Sequence, residues 1–513
     1  MRSAPMRSLT LLAASLLAGC AVGPNFVKPR PEVPPQWSRK ALEASGTRSS
    51  TVHPEAEPLA EWWTTFHDPI LSSLIRRSVA ANLDLREAVL RIEEARAQRD
   101  QAAAGLWPSL SANAGFTRQR FSTNTPNGAI FGIAPQIPGL PPGVFANPFD
   151  QYQLGLSASW ELDLFGRVRR SVEAARAQMQ ASVEDAHDVV LSLVSDVAAA
   201  YIDLRGAQLQ KSILEQSLAT QRDVLAITRQ RWSAGLTTDL DVENAASEVS
   251  ATQAQLPVVE REITVDVNQL SELMSLKPEA LRAELEQAKP LPPVPPEVPI
   301  GLPADLARRR PDIRRAEASL HAATAQIGVA VADLFPDLTL SVAGGYQSEG
   351  LSELINAASR FASLGPTIEL PIFEGGALRA TVRLENVRAK EAAVDYARTV
   401  LGALHEVEDA LAAYGSDQDR RVSLTAAVDE SREALTLARQ RYEGGITDFI
   451  EVLDAERTLE QNQLSLAEAT TAVSSDLVLL YKTLGGGWQT LPVGQARPVG
   501  PTERSDPKRP ATP

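Results

Sequence analysis

Arg229-Gln-Arg-Trp-Ser-Ala-Gly235-Leu-Thr-Thr-Asp-Leu-Asp241-Val242 recurs as Arg439-Gln-Arg-Tyr-Glu-Gly-Gly445-Ile-Thr-Asp-Phe-Ile-Glu451-Val452, an offset of 210 residues. Val194-Ser-Asp-Val197 against Leu404-His-Glu-Val407 keeps that offset, whereas Leu106-Trp-Pro-Ser-Leu110 matches Leu334-Phe-Pro-Asp-Leu338 at 228. The first copy therefore carries about 18 extra residues, which fit the Gly- and Pro-rich stretch 125–148, a long loop. Matches in consistent order imply an internally duplicated half, far longer than a solenoid unit.

Each half reads as helix, strand, loop, strand, long helix, turn, helix. Strand candidates near 109–120, 151–163, 336–347 and 363–373 alternate apolar with small or polar residues, as in Leu110, Ala112, Ala114, Phe116 and in Leu364, Pro366, Ile368, Leu370, Ile372. Each run has about ten residues, enough for a tilted membrane strand, although two hairpins over a soluble core would show the same pattern. Gly166 to Trp232 and Gly375 to Tyr442 contain no proline, so each could form a helix about 100 Å long. Val387, Val394 and Leu401, with Ala397, Leu404 and Leu411, repeat by seven and predict coiled-coil packing with a left-handed supercoil, interrupted by Lys390 and Glu408. Membrane strands must close into a barrel, because lipid offers backbone groups no partners. Four strands cannot close one when the smallest barrels have about eight, so several chains must share it, and three would supply twelve.

Alanine fills much of the chain's 44% hydrophobic content, and aromatics make up only 5% of the chain, which suits long helices packed at close range. Residues 1–19 read as a secretion signal, with Arg2 and Arg7 before an apolar run and Leu17-Ala-Gly-Cys20 as a lipobox. Cys20 is the single cysteine, so lipid attachment is its expected role, and Ala21 in place of Asp directs the product to the outer membrane. Cleavage removes two Arg and leaves 64 acids against 48 bases, or −16, which argues against nucleic acid as a partner. Residues 20–60 are expected to be a lipid-anchored tether, 61–288 the first repeat, 289–300 a Pro-rich linker, 301–488 the second repeat and 489–513 a disordered tail.

The sequence resembles the TolC/OprM outer-membrane efflux family, lipoprotein branch, partnering resistance-nodulation-division (RND) pumps. The resemblance runs from Cys20 to Trp488 on Trp62-Trp63 with Phe66, Asp68-Pro69, Asn82-Leu-Asp-Leu85, Trp160-Glu-Leu-Asp-Leu-Phe-Gly166-Arg, Gly301-Leu-Pro-Ala-Asp-Leu-Ala-Arg-Arg-Arg-Pro-Asp-Ile313, Ile327-Gly-Val-Ala and Leu480-Tyr-Lys-Thr-Leu-Gly-Gly-Gly-Trp488. It implies a mainly helical homotrimer with four strands per subunit in a shared 12-stranded barrel, continuous with a 12-helix periplasmic tunnel. Its implied role is passive exit for drugs and toxic compounds delivered by an inner-membrane pump through a periplasmic adaptor. A lipid-anchored coiled-coil spacer, or a duct for type I protein secretion, is the alternative.

Each long helix should end at Gly235 or Gly445 in left-handed conformation, and the next should begin with a capping box, Thr238 with Asp241 and Asp448 with Glu451. By resemblance the two hairpins meet the adaptor through Arg229, Gly235, Leu236, Thr237, Arg439, Tyr442, Gly445, Ile446 and Thr447, although these residues would also serve simply to build turns. The resemblance also implies that Glu451 and Asp454 align with an acidic pair facing the narrowest point of the tunnel, which makes them, with Asp241 at the equivalent position of the first copy, the gate candidates; six clustered carboxylates in a trimer would attract cations. Acids in a first helical turn also complement the helix dipole without any gate. The upstream acids of 406–414 read better as a solvated helix face. An enzyme finds little support: the five histidines lack metal-ligand spacing, no phosphate loop or nucleophile elbow occurs, and an acid pair at i and i+3 lacks a glycosidase cleft. No cofactor and no metal is expected.

Overall fold

The computed structural model describes residues 21–38, 50–54, 59–126, 128–133, 138 and 146–491. Cys20, the signal segment and the tail beyond 491 lie outside them. The chain forms two compact units: one from Met1–Lys28, Ala95–Met179 and Ser319–Ala393, the other from Pro29–Glu94, Gln180–Ala318 and Val394–Pro513.

In chain order the principal elements are β1 (Thr51–His53), α1 (Pro69–Ala81), α2 (Leu83–Ala104), β2 (Ser109–Gln119), β3 (Phe149–Glu161), α3 (Arg167–Ser233), α4 (Asp239–Leu273), β4 (Glu297–Pro299), α5 (Pro311–Ala332), β5 (Asp337–Ser348), β6 (Arg360–Glu369), α6 (Ala377–Glu443) and α7 (Phe449–Thr483). The repeat is plain in them: α3 and α6 have 67 residues each, α4 and α7 have 35 each. The proline-free stretches are thus single helices, and none of the described helices is long and apolar enough to cross a membrane.

The first unit holds a four-stranded antiparallel sheet in the order β2-β3-β5-β6, the two hairpins joined through β3 and β5. Leu110 faces Ala158, Trp160 faces Leu340 and Val342 faces Leu364. The sequence extends the last strand to 373, but β6 stops at Glu369, because Pro371 has no N–H to continue a ladder. Large apolar side chains on this sheet are exposed, among them Leu110 (71%), Leu364 (73%) and Ile368 (69%).

Segment 21–28, part of the stretch expected to be a lipid-anchored tether, is docked in this unit. Arg170, itself buried, donates from Nε to the Val22 carbonyl at 3.2 Å and from Nη2 to Asn25 Oδ1 at 2.8 Å. Phe26 stacks on His321 at 4.4 Å, and a Cβ on Gly23 would lie 2.5 Å from the Cα of Gly328.

The second unit carries the main hydrophobic core, and the motifs scattered along the sequence converge there. Trp62, fully buried, stacks on Tyr481 at 5.1 Å and donates from Nε1 to the Gly486 carbonyl at 3.1 Å. Trp488 lies between the His187 ring at 4.2 Å and the Arg314 guanidinium at 5.1 Å, and donates to the Arg309 carbonyl at 3.0 Å. Arg310 pairs with Asp312 and Glu406, each at 2.7 Å. Asp68 caps α1 by accepting from the Ile70 N–H at 2.7 Å, while its other oxygen accepts from the Tyr201 hydroxyl at 2.7 Å. Burial and that carboxylate together push the Tyr201 phenol up to about 12. Here too the N-terminal segment packs: Trp37 is buried with Nε1 2.7 Å from the Gly301 carbonyl, and β1 pairs in parallel with β4 of the Pro-rich linker.

The two heptad series expected in α6 part company: Leu411 is buried and Leu404 packs partly buried against the core, while the other series is open. Tyr396, Ala403 and Ala410, with Val400, Val407 and Tyr414, are the buried series, whereas Val387, Val394 and Leu401 are 55%, 68% and 54% exposed. Seven-residue spacing marks a seam but does not say which of two apolar stripes the chain itself covers.

Candidate functional site

In the second unit, α3 and α4 meet at one helical turn and α6 and α7 at another. Each turn follows from its glycine. Gly235 has φ +73° and Gly445 φ +69°, a conformation that costs a Cβ-bearing residue. The Gly235 N–H donates to the Trp232 carbonyl and the Leu236 N–H to the Arg231 carbonyl, both at 2.8 Å. Gly445 to Tyr442 (3.0 Å) and Ile446 to Arg441 (2.9 Å) repeat the arrangement, so the helix-end carbonyls are satisfied inside the turn.

The two hairpins then diverge. Thr238 and Asp241 form a full capping box at the start of α4, and Asp241 also accepts from the Thr237 hydroxyl at 2.6 Å. Partial burial acts against the Asp241 carboxylate, yet these hydroxyls and the Thr238 N–H hold its pKa below the usual range. The second box, expected between Asp448 and Glu451, does not form: the Asp448 side chain makes no cap hydrogen bond, and only its carbonyl meets the Glu451 N–H, at 3.3 Å. Asp448 is exposed, and nothing in the structure explains why its side chain does not turn back onto the helix.

Inside the hairpins, Leu225, Val242, Ala245, Leu435, Phe449, Val452 and Leu453 form a separate apolar cluster drawn from all four helices. Two ion pairs brace it: Arg439 to Glu456 at 2.6 Å and Arg457 to Glu248 at 2.6 Å, with both glutamates buried. Burial pushes Glu456 up despite Arg439, and burial likewise raises Glu460, helped by Glu248. Removing either arginine would leave a buried carboxylate uncompensated. No group of three or more His, Cys, Asp or Glu could hold a metal among the described residues.

The candidates from the sequence fall into three groups. Glu451 and Asp454 are both exposed, one helical turn apart on the face of α7 opposite Val452, Leu453 and Glu456, which are buried. Arg229, Gly235, Leu236 (67% exposed), Gly445 and Ile446 (71%) present themselves to solvent at the hairpin ends, with Leu240 (68%) and Ile450 (50%) adding to that apolar rim. Asp241, Thr237, Arg439, Tyr442 and Thr447 are engaged internally or half-buried. Tyr442 lies against the Arg231 guanidinium at 4.6 Å and Phe449 at 5.3 Å, and the Tyr442 and Thr447 hydroxyls are buried with no partner among the described residues. The braces Arg439–Glu456 and Arg457–Glu248 were not legible: their partners stand 17 and 209 residues apart, and a charge on a helix does not name its counterion.

Comparison with known proteins agrees with this architecture. The family described as "Outer membrane efflux protein" matches residues 74–275 and 302–486. The toluene efflux pump outer membrane protein TtgF of Pseudomonas putida is 33% identical over 487 residues, covering 94% of this chain and 97% of that protein. OprJ of Pseudomonas aeruginosa is 33% identical over 479 residues, covering 93% and 95%. Among solved structures, the outer-membrane channel OprN superposes with a TM-score of 0.81 at 35% identity, over 92% of this chain and 100% of that one. The open-state Neisseria gonorrhoeae MtrE channel gives 0.75 at 29% identity, over 91% and 99%.

Proposed function

Because this chain belongs to the outer membrane efflux protein family, we propose that three copies close a 12-stranded barrel in the outer membrane, continued by a 12-helix periplasmic tunnel. It is a channel component of an efflux system, not an enzyme. The observation that carries the trimeric reading is the open sheet β2-β3-β5-β6, whose strands of 10 to 13 residues have exposed apolar side chains and whose outer edges are unpaired. Such a sheet is unfavourable in lipid unless further copies complete it. The stripe Val387, Val394 and Leu401 gives α6 a second face for a neighbouring copy. A spacer that only stood in the envelope would need no such sheet.

Cargo enters at the hairpin ends, handed over by an RND pump through an adaptor whose helices meet Leu236, Ile446, Gly235, Gly445 and Arg229. Glu451 and Asp454 line the narrowest point, where their exposure leaves them free to repel each other across the axis and to attract cations. The first copy offers the gate less charge than the second, because Asn244 stands where the second has Asp454 and Asp241 is held in its cap. Cys20 carries the lipid that holds the chain to the outer membrane. The cargo is small and toxic, of the kind that solvent and antibiotic pumps remove, and is selected by the pump.

Detergent-extracted protein should run on a gel as an oligomer that heat converts to monomer, and should conduct ions in a planar bilayer. Glu451→Ala with Asp454→Ala should raise single-channel conductance and weaken block by multivalent cations; unchanged conductance and block would remove the gate assignment. Adaptor contact is tested by Gly235→Asp and Gly445→Asp, expected to abolish drug resistance while the trimer persists.

A further inference from the structure

The first unit contains one complete seam between the two copies of the repeat. There β3 pairs with β5 so that partner numbers total 500, as in Trp160 with Leu340. Beyond the strand, the Leu162 N–H donates to the Leu338 carbonyl at 2.8 Å, and Phe165 stacks on Phe335 with ring centroids 4.7 Å apart. Both aromatics belong to recurring motifs: Leu106-Trp107-Pro108 and Leu334-Phe335-Pro336 precede the first strand of each copy, while Glu161-Leu-Asp-Leu-Phe165 and Glu369-Leu-Pro-Ile-Phe373 follow the second. At this seam the first copy lends the phenylalanine after its second strand, and the second copy lends the aromatic before its first. The complementary members, Phe373 and Trp107, are left 88% and 75% exposed, and they flank β6 and β2, the two edges of the sheet.

We propose that a second copy of this chain covers each edge by repeating the internal seam: β6 pairs antiparallel with β2 of the next copy at partner numbers totalling 480, and Phe373 stacks on that copy's Trp107. The inference rests on the shared-barrel reading and adds its register and its aromatic clasp. The total follows from shifting each strand by its own motif offset, 208 from Phe165 to Phe373 and 228 from Trp107 to Phe335. The helices repeat at 210, but the connection to the long helix is longer in the second copy, residues 370–376 against 162–166, so the extra two residues fall after the strand. Side-chain parity agrees independently. A total of 480 sets Leu364, Ile368 and Leu370 opposite Phe116, Ala112 and Leu110, apolar to apolar on one face, which a one-residue slip would destroy.

Cysteine pairs in the full-length chain test this, since Cys20 is the only native cysteine. Thr367→Cys with Asn113→Cys has the proposed register and lies off the apolar face; Thr367→Cys with Ser111→Cys or with Gly115→Cys is displaced by two residues either way, and Gly115 has open space for a side chain. Oxidation in isolated outer membranes should convert the first pair to reducible dimers and trimers, on the order of five-fold more than either displaced pair, because diagonal partners exceed disulfide reach. Preferential cross-linking of a displaced pair would overturn the register and leave the shared barrel standing. Absence of any cross-link, in protein that fractionates with the outer membrane, would overturn the shared barrel with it. Trp107→Ala and Phe373→Ala should each lower the temperature at which the oligomer dissociates, the double variant no further than the worse single; additive losses would overturn the clasp.

Discussion

Asp476 and Asp266 occupy equivalent places in the two copies, 210 residues apart, on α7 and α4. Each is partly buried beside a second carboxyl. Burial and then Asp417 push Asp476 up to about 7, and burial and then Asp203, with Glu262, push Asp266 up to about 6. Arg420, 4.0 Å from Asp417, is too far to neutralise the first pair fully. A carboxyl with a raised folded pKa contributes stability below its unfolded value near 4, and that contribution is lost as pH rises through the folded value. Asp476→Asn should therefore melt increasingly above the parent protein as pH goes from 5 to 8, as followed by circular dichroism; an equal difference at both pH values would exclude the pair as its cause. Asp241 has the opposite sign. Its depressed pKa contributes stability that is lost only as pH falls below the usual carboxylate range. Thr238→Ala, which breaks the same cap, should cost about 1 kcal/mol and speed amide exchange in the first turn of α4. The Thr-x-x-Asp spacing made that cap legible, whereas no spacing announces that two aspartates on different helices will meet.

Helices and strands were far more legible than their contacts. Proline-free stretches gave α3 and α6 almost to the residue, and alternation gave all four strands of the sheet, because both depend on the period of nearby residues. The two heptad series on α6 were legible, but not which of them the chain itself covers, because burial depends on elements hundreds of residues away. Tyr396, Val400 and Ala403 sit in the chain's own core, while Val394 and Leu401 are exposed. That division separates two kinds of variant. Val400→Asp should unfold the second unit, since an unpaired charge would enter the core. Val394→Asp with Leu401→Asp should leave monomer melting within about 0.5 kcal/mol of the parent, as for other exposed positions. It should nevertheless weaken the oligomer, which sedimentation in detergent would register. Monomer unfolding by the exposed pair would mean the stripe is covered within the chain.

The segment after Cys20 tests how far composition can stand in for structure. Pro-rich, polar stretches bury little apolar surface, and the sequence accordingly reads 20–60 as a tether. Extended chain, however, can dock without a core of its own if its backbone polar groups and a few anchors find partners, and proline lowers the entropy lost in doing so. In the first unit Arg170 and His321 hold Val22, Asn25 and Phe26. In the second, Trp37 is 3% exposed on the Gly301 carbonyl, and Ser38 donates to both oxygens of Glu408 at 2.7 and 2.6 Å. Ser50 donates to Gln418 at 3.1 Å just before β1 joins β4. A docked segment and a tether would respond differently to loss of the lipid proposed at Cys20. With Cys20→Ala a tether would be released, and its amides would exchange as an unfolded chain does. The docked segment should instead keep protected amides at Ser38, Ser50 and Thr51, whose N–H groups donate to Glu408, Gln418 and the Pro296 carbonyl, when the unlipidated protein is studied by hydrogen exchange. Trp37→Ala should then do what delipidation does not, removing a buried indole at a cost of about 3–5 kcal/mol and lowering the melting temperature of the second unit. If delipidation alone abolished protection at these amides, the lipid and not the packing would hold the segment in place.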